Sequence, residues 1–256
     1  MDIRILGAHN SESVDTSCVT FIVDGKLAVE AGGLTSRLSV REQQNIDSII
    51  LTHHHLDHIR DIPGIALNFF RFGASLEIYS TAAVNDVIRT HLLNRTIYPE
   101  FQKIPEKKPT VIFLEIEPYG MQRIDGYNIL PVPVRHPASA VGYQISDKQG
   151  KTVFYTGDTG PDLADCWRHI SPQLLIIDVT MPDEFESFAA KTGHLSPRLL
   201  ECELIGFRDI KGYLPQVVTV HMDAAHEPKI REELDGVAEN LHVSIALAHE
   251  DMLLRL

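Results

Sequence analysis

The stretch Thr52-His53-His54-His55-Leu56-Asp57-His58 constrains the fold of this chain more than any other. It follows the apolar run Ile49-Ile50-Leu51, which predicts a buried strand. Apolar residues then recur at helical spacing at Ile59, Ile62, Ile65, Ala66 and Phe69. The histidines are therefore predicted to lie on a tight loop between a strand and a helix.

The side chains of this loop are typical metal ligands. His53 and His55 are two residues apart, so on an extended segment they point to the same side. Asp57 and His58 stand where the chain turns into the helix, and they can face a second point nearby. Imidazole and carboxylate groups suit zinc, iron, manganese and nickel, so two adjacent cation sites are predicted. The alternative is a solvated histidine-rich turn or a tag, but a tag would stand at a terminus without an internal aspartate.

The composition is that of a soluble globular protein. A length of 256 residues fits one large domain or two small ones, and 44% hydrophobic with 23% charged residues is ordinary. No apolar stretch is long enough to span a membrane, and the start at Met1-Asp2-Ile3 enters a strand pattern without a signal peptide. The three scattered cysteines are expected to be reduced thiols. A cytoplasmic location is predicted.

The charge indicates the kind of substrate. The formal net charge is −12, whereas a protein that holds long nucleic acids usually presents a basic face. A small anionic substrate held by metals fits this balance better. Thirteen histidines are many for the length, and several follow predicted strands, which favours metal chemistry.

Along the chain, strands and helices alternate in an α/β pattern up to about residue 93. Asp24-Gly25 and Asp125-Gly126 each predict a two-residue hairpin turn. From Val111 the chain is rich in predicted strands, and a second sheet is expected to begin there. Residues 94–110 lack periodicity; they are predicted to be a lid, an interaction loop or a plain solvated connection.

Further candidate ligands follow predicted strands downstream. His136 comes after Leu130–Val134, and His221 comes after Val217–Val220. Asp158 lies in the turn Tyr155-Thr156-Gly157-Asp158-Thr159-Gly160, whose small residues leave its two oxygens free to bridge two metals. An Asx-turn is the structural alternative for Asp158.

His194 is placed differently from the other histidines. Ser196 is a plausible N-cap and Pro197 a first helical residue, so His194 stands just before a helix N-terminus. That position favours a neighbouring anion, and the imidazole can donate to a phosphoryl or leaving oxygen. The sequence does not decide the roles of Asp178, His226 and His249.

The pattern His-x-His-x-Asp-His at residues 53–58, after a hydrophobic strand, resembles the metallo-β-lactamase superfamily. This resemblance implies one domain over residues 1–256, folded as a four-layer αββα sandwich of two mixed sheets flanked by helices. It also implies two divalent ions, zinc first and manganese or iron as alternatives. One ion would be bound by His53, His55 and His136 and the other by Asp57, His58 and His221, with Asp158 shared.

A narrower resemblance involves Gly193-His194-Leu195-Ser196-Pro197, which together with the histidine loop is similar to class II cyclic-nucleotide phosphodiesterases. It implies hydrolysis of 3′,5′-cyclic AMP or GMP to the 5′-monophosphate by a hydroxide that bridges the metals, with Asp57 and His194 as catalytic residues. His194 would stabilise the phosphorus centre or protonate the departing 3′-oxygen. Ile177-Asp178-Val179-Thr180 departs from the Glu-containing segment expected there.

Several alternatives remain at this point. A tRNA 3′-end-processing endonuclease has a similar ligand set, but it usually shows His-Glu-Ala-Thr where this chain has residues 177–180, and it carries a long basic arm. Esters, thioesters, lactones and β-lactams are other substrates for such a site. A metal-dependent nucleotide-binding module without catalysis, and a diiron redox protein, are further classes. Members of this kind often form homodimers, for which residues 94–110 are a candidate contact.

Overall fold

The structure is a computed structural model that describes residues 1–256. Two seven-stranded sheets contain all fourteen strands. The strands are β1 (Asp2–Gly7), β2 (Thr20–Val23), β3 (Leu27–Val29), β4 (Ser48–Ile50), β5 (Leu76–Ser80), β6 (Val111–Glu115), β7 (Gln122–Ile124), β8 (Tyr127–Pro133), β9 (Val141–Ser146), β10 (Thr152–Tyr155), β11 (Leu174–Asp178), β12 (Gln216–Val220), β13 (Ile245–Leu247) and β14 (Leu253–Arg255).

Nine α-helices connect or cover the strands. They are α1 (Leu34–Arg37), α2 (Val40–Gln43), α3 (Leu56–Ile59), α4 (Ile62–Arg71), α5 (Ala82–Val87), α6 (Ala164–His169), α7 (Glu186–Thr192), α8 (Pro197–Lys211) and α9 (Glu227–Leu241). A π-helical turn at Ile88–Leu92 continues α5, and a 3₁₀ turn at Asp183–Phe185 precedes α7. The sequence pattern did not predict α6, α7, α9 or β14.

Each sheet is mixed. The first has the order β14-β1-β2-β3-β4-β5-β6, and the second has the order β13-β12-β11-β10-β9-β8-β7. The prediction that a second sheet begins at Val111 is wrong, because β6 pairs in parallel with β5 at the edge of the first sheet. The sequence shows that Val111–Glu115 is a strand, but the choice of its neighbour is a tertiary matter. The second sheet begins at β7.

The hairpin predictions are confirmed with one difference of length. Asp125 and Gly126, at φ 50° and 92°, form a two-residue turn between the paired residues Ile124 and Tyr127. At the other hairpin, Val23 pairs with Leu27, so the loop has one residue more than predicted.

Both faces of the first sheet are buried. In β2, Phe21 and Val23 point into the core between the sheets, and Phe21 meets Tyr155 of the second sheet at a ring-centroid distance of 5.1 Å. Ile22 points to the opposite side, where the apolar residues of α4 cover the sheet. On the outer face of the second sheet, Trp167 of α6 packs against Phe207 of α8. The predicted α/β architecture of two mixed sheets flanked by helices is confirmed.

Residues 94–110 form a packed connection. Phe101 is 1% exposed and lies against the rings of Phe70 and Tyr98. The backbone N–H groups of Thr110 and Val111 donate to the carbonyl of Phe101 and tie the segment to the edge of the first sheet. No helix in the structure is long and apolar enough to cross a membrane.

Candidate metal centre

The predicted ligands lie where strands of both sheets end. The strands β10, β11 and β12 run parallel, and β8 runs in the same direction because two antiparallel pairings separate it from β10. Their carboxyl ends therefore share one edge of the second sheet, and this is where α/β folds place functional groups. The loop after β4 brings the first sheet to the same edge. The residues that meet here are His53, His55, Asp57, His58, His136, Asp158 and His221.

These seven residues divide into two groups that could each hold a metal ion. The first group is His53, His55, His136 and Asp158, and the second is Asp57, His58, Asp158 and His221. Within each group the ligand atoms all lie within 4.8 Å of one another. Asp158 belongs to both groups, so one carboxyl group connects the two candidate sites.

The distances between ligand atoms fit a bound cation. Two ligands about 2.0–2.1 Å from a tetrahedral zinc ion stand about 3.3 Å apart. His58 Nε2 lies 3.2 Å from Asp158 Oδ1 and 3.3 Å from Asp57 Oδ2. His221 Nε2 lies 3.2 Å from Asp57 Oδ2, and His53 Nε2 lies 3.6 Å from Asp158 Oδ2. The spacing is therefore that of donors arranged around ions.

Several buried atoms of the site have no hydrogen-bond partner in the protein. They are His53 Nε2, both ring nitrogens of His58 and Asp158 Oδ1. Buried polar groups are normally satisfied, and leaving one unpaired costs about 1–3 kcal/mol. A divalent cation supplies the missing partner for such atoms, so the donor set fits the metal ions that the fold implies.

Two glycines allow the close approach of the loops that carry the ligands. Gly157 has φ 63°, and a Cβ there would lie 2.7 Å from Thr52 Oγ1 in the histidine loop. Gly193 has φ 82°, and a Cβ there would lie 2.3 Å from Pro137 Cδ and 2.9 Å from His136 Nδ1. The Gly193 carbonyl accepts from His136 Nδ1 at 3.0 Å, so His136 Nε2, which lies 3.1 Å from His55 Nδ1, is the nitrogen that faces the metal site.

A fully buried glutamate, Glu30, contacts two residues of the histidine loop on the side away from the metal groups. Its Oε1 accepts a hydrogen bond of 2.5 Å from Thr52 Oγ1 and lies 3.3 Å from His58 Nδ1. The Thr52 hydroxyl has one proton, so when it donates to Glu30 it accepts at 3.0 Å from His53 Nδ1. His53 then directs the lone pair of Nε2 toward the site. The sequence analysis missed Glu30, which is separated from its partners by more than twenty residues.

Asp178, whose role the sequence left undecided, is the second buried carboxyl group behind the site. Its Oδ1 accepts from Thr180 Oγ1 at 2.6 Å, and the same hydroxyl lies 2.8 Å from His221 Nδ1. Its Oδ2 accepts from His194 Nδ1 at 2.7 Å and from the backbone N–H of Thr159 at 3.1 Å. Asp178 therefore orients His221 through a threonine, as Glu30 orients His53, and it also holds His194 directly.

The charge states follow from these contacts. Burial opposes a positive charge on His194, but the Asp178 carboxyl group outweighs burial and raises the pKa of His194 to about 9. Burial acts to raise the pKa of Asp57, yet the neighbouring imidazoles of His221 and His58 hold that pKa well below its ordinary value. Burial lowers the pKa of His53, which keeps the ring neutral, as metal binding requires.

A cleft of about 500 Å³ opens onto the site. Its volume falls in the range of about 300–1,000 Å³ that is usual for small-molecule sites. The lining residues are Asn10, Cys18, His55, Leu56, Asp57, Arg60, Asp158, His194 and His221. None of the residues 94–110 is among them.

His226 and His249 lie outside the metal-binding groups; His226 contacts Asp223 and Phe185, and His249 is exposed on the surface.

A family model described as the beta-lactamase superfamily domain matches residues 23–222 of the chain. The chain belongs to this superfamily. The match covers the whole histidine loop and ends one residue after the last of the predicted ligands, His221. The expected superfamily and its metallo-β-lactamase fold are thus confirmed.

Individual relatives of this superfamily member carry phosphodiesterase and tRNase names. A 3′,5′-cyclic-nucleotide phosphodiesterase of Schizosaccharomyces pombe is 26% identical over 187 residues, which is 63% of this chain and 51% of the relative. The unliganded structure of yeast PDE1 matches with a TM-score of 0.85 and 18% identity, over 100% of this chain and 99% of that one. The short form of human tRNase Z matches with a TM-score of 0.72 and 18% identity, over 100% and 99%. The chain spans about half the length of the curated relatives it matches.

Proposed function

We propose that the protein is a phosphodiesterase that uses two divalent metal ions to hydrolyse a small phosphodiester, with a 3′,5′-cyclic nucleotide as the first candidate. The observation that carries this proposal is the pair of four-residue groups that share Asp158. Two cations bridged by one carboxylate stand about 3.5–4 Å apart in two-metal hydrolases, a spacing that suits phosphodiester cleavage. The names of the curated relatives support the same substrate class.

The proposed ligands are His53, His55 and His136 for one ion, Asp57, His58 and His221 for the other, and Asp158 for both. Imidazole and carboxylate donors favour zinc, with manganese and iron as alternatives. When bound, the two ions would lower the pKa of a water molecule and neutralise charge on the phosphoryl group. Asp57 also lines the cleft, where its ionised carboxylate can accept a proton or hydrogen bond from the attacking water.

His194 is proposed as the general acid. Its Nδ1 is held by Asp178 at 2.7 Å, so Nε2 is the nitrogen left for the substrate. The Asp178 carboxylate favours the protonated form of this imidazole, which can give its proton to the departing 3′-oxygen. Asp178 would favour return of a proton to His194 after each turnover and would keep the ring in one orientation. An aspartate at position 178 differs from the Glu-containing segment expected in the similar families.

We further propose that residues 1–256 act as one domain. Both sheets contribute ligands to the same centre, since the loop after β4 belongs to the first sheet and the other ligands follow strands of the second. Residues 94–110 belong to this domain and pack on the first sheet away from the cleft, where they remain available as a contact in a homodimer.

A tRNA 3′-end-processing activity is the second candidate, because the short human tRNase Z has the same fold. Two observations make it the weaker one. The formal net charge of −12 disfavours a long polyanion, and residues 94–110 are anchored through Phe101 instead of forming a projecting arm.

The test starts from metal-free protein that is loaded with zinc or manganese, with the metal content measured. Cyclic AMP, cyclic GMP and a tRNA with a 3′ extension are then incubated with it, and the products are separated by chromatography. Release of the 5′-monophosphate supports the proposal, whereas cleavage of the tRNA alone would establish the second candidate. If the protein binds both metals and a cyclic nucleotide but hydrolyses no phosphodiester, the proposal is wrong and a nucleotide-binding module remains.

A further inference from the structure

A single arginine, Arg60, stands in the cleft among histidines and carboxyl groups. Of the residues that line the cleft, it is the one whose side chain is positively charged at every physiological pH. Arg60 follows the helical turn α3 and is three residues after Asp57. Residues three apart on a helix project from the same face, so the guanidinium and the Asp57 carboxylate both face the cleft.

The carboxylate of Asp61 contacts the guanidinium of Arg60. Its Nε lies 3.6 Å from Asp61 Oδ1, and the other oxygen of Asp61 accepts from the backbone N–H of Thr35 at 2.7 Å. Asp61 is thereby anchored to α1, and it contacts Arg60 at Nε, which leaves the other guanidinium N–H groups for Glu12 or an anion. Cys18 lines the cleft together with Arg60.

Glu12 contacts the same guanidinium at another nitrogen, Nη1. Its Oε2 is 3.1 Å from Arg60 Nη1, and the two side chains are 34% (Arg60) and 26% (Glu12) exposed. Glu12 belongs to the segment between β1 and β2, which reaches the cleft at Asn10. An ion pair that is this accessible is worth about 0.2–1 kcal/mol, so a better anion can replace Glu12.

We infer that Arg60 binds the anionic phosphoryl group of the substrate, and that Glu12 occupies this position when the cleft is empty. The inference rests on the proposed function, because it concerns the same cleft. A guanidinium offers paired N–H donors that match two phosphoryl oxygens, an interaction stronger than one with a partly hydrated surface carboxylate. Arg60 thereby holds the phosphodiester against the metal-binding groups, and Glu12 competes with weakly bound anions.

The experiment uses the metal-loaded full chain with Arg60→Ala, Glu12→Gln and the double variant. We measure KM and kcat for the cyclic nucleotide, and the Kd for inorganic phosphate by calorimetry. Arg89→Ala is the matched control, because Arg89 is 36% exposed and pairs with Asp86 at 3.3 Å but does not line the cleft.

Arg60→Ala is expected to raise KM and the phosphate Kd about 10- to 100-fold, the value of one or two charged hydrogen bonds, with a smaller change in kcat and unchanged metal content. Glu12→Gln is expected to lower both constants about two- to fivefold, because the competing carboxylate is gone. In the Arg60→Ala background, Glu12→Gln should have no effect. Arg89→Ala should behave as the parent protein.

The inference fails if Arg60→Ala leaves the phosphate Kd unchanged, or if Glu12→Gln weakens phosphate binding. It also fails if the two substitutions are additive, since Glu12 would then act independently of Arg60. Should Arg60→Ala lose metal or fold poorly, Arg60→Gln and Glu12→Gln decide the same question. Absence of turnover of any phosphodiester together with Arg60-dependent phosphate binding would refute the proposed function and leave Arg60 as the anion-binding residue of the cleft.

Discussion

Glu30 gives the sharpest prediction, because one buried carboxyl group supports a candidate ligand of each metal. It reaches His53 through the hydroxyl of Thr52, and it lies 3.3 Å from Nδ1 of His58. His53 belongs to the first metal group, whereas His58 belongs to the second. Substitutions at positions 30 and 52 should therefore change the affinities of the two metal sites differently.

The expected sizes follow from these contacts. Loss of the partner that orients a metal-binding histidine typically weakens metal affinity about 10- to 100-fold. Glu30→Gln removes the carboxylate charge beside His58 and replaces one of the two acceptor oxygens near Thr52 with an NH2 donor, so both metal dissociation constants should rise by about that factor. Thr52→Val removes the hydroxyl alone, so the first metal should bind about 10- to 100-fold more weakly while the second keeps its affinity within about a factor of three.

The assay is calorimetric titration of metal-free protein with manganese or zinc, fitted to two sites. Thr52→Ser is the matched control, since it retains the hydroxyl and should retain both affinities. The argument is refuted if Thr52→Val weakens both metals equally, or if Glu30→Gln changes neither. Thermal unfolding of each metal-free variant separates an effect on metal binding from a general loss of stability.

Three further predictions concern single histidines. His55→Ala should lose metal and activity together, whereas the exposed His249→Ala should keep both; retention of metal by His55→Ala, measured by elemental analysis, would contradict the ligand assignment. His194→Ala should keep both metals but lower kcat about 10²- to 10⁴-fold, so loss of metal there would identify it as a ligand. Burial opposes the charge on His9, but Glu250 at 2.9 Å and Glu227 at 3.2 Å outweigh it and raise the pKa of His9. The stability from His9 is then complete below its unfolded pKa of about 6.5 and lost as pH rises through the folded value. His9→Gln should cost about 1–3 kcal/mol of unfolding free energy at pH 6 and less at pH 9 by urea denaturation, and an equal cost at both pH values would oppose this.

Much of the candidate centre could be predicted because its residues follow a local rule. Each predicted ligand stands at the end of an apolar run or in the loop directly after it, and neighbouring strand ends meet at one edge of a sheet. The glycines beside Asp158 and His194 were visible for the same reason, since a turn against a ligand needs a residue without a side chain. Each of these signals is local, because the strand, the turn and the candidate ligand lie within a few residues of one another in the sequence.

Other features depended on the order in which the strands pair. Whether Val111–Glu115 begins a new sheet or closes the first is decided by its pairing with β5, which no local pattern encodes. The first and last strands of the chain pair with each other, and this also could not be foreseen. Hydrophobic alternation reports that a segment is a strand, but not which strand lies beside it.

The sequence by itself determined the superfamily pattern and the candidate ligands at strand ends, and its net charge of −12 favoured a small anionic substrate over a long nucleic acid. Only the tertiary structure brought Glu30, Asp178 and Arg60 to notice, because each has contacts with distant segments of the chain. A buried carboxyl group is recognised as functional by what it touches, and its contacts exist only after the sheets have packed. The ion pair of Glu12 with Arg60 is a contact of the same kind, made between the segment after β1 and the end of α3.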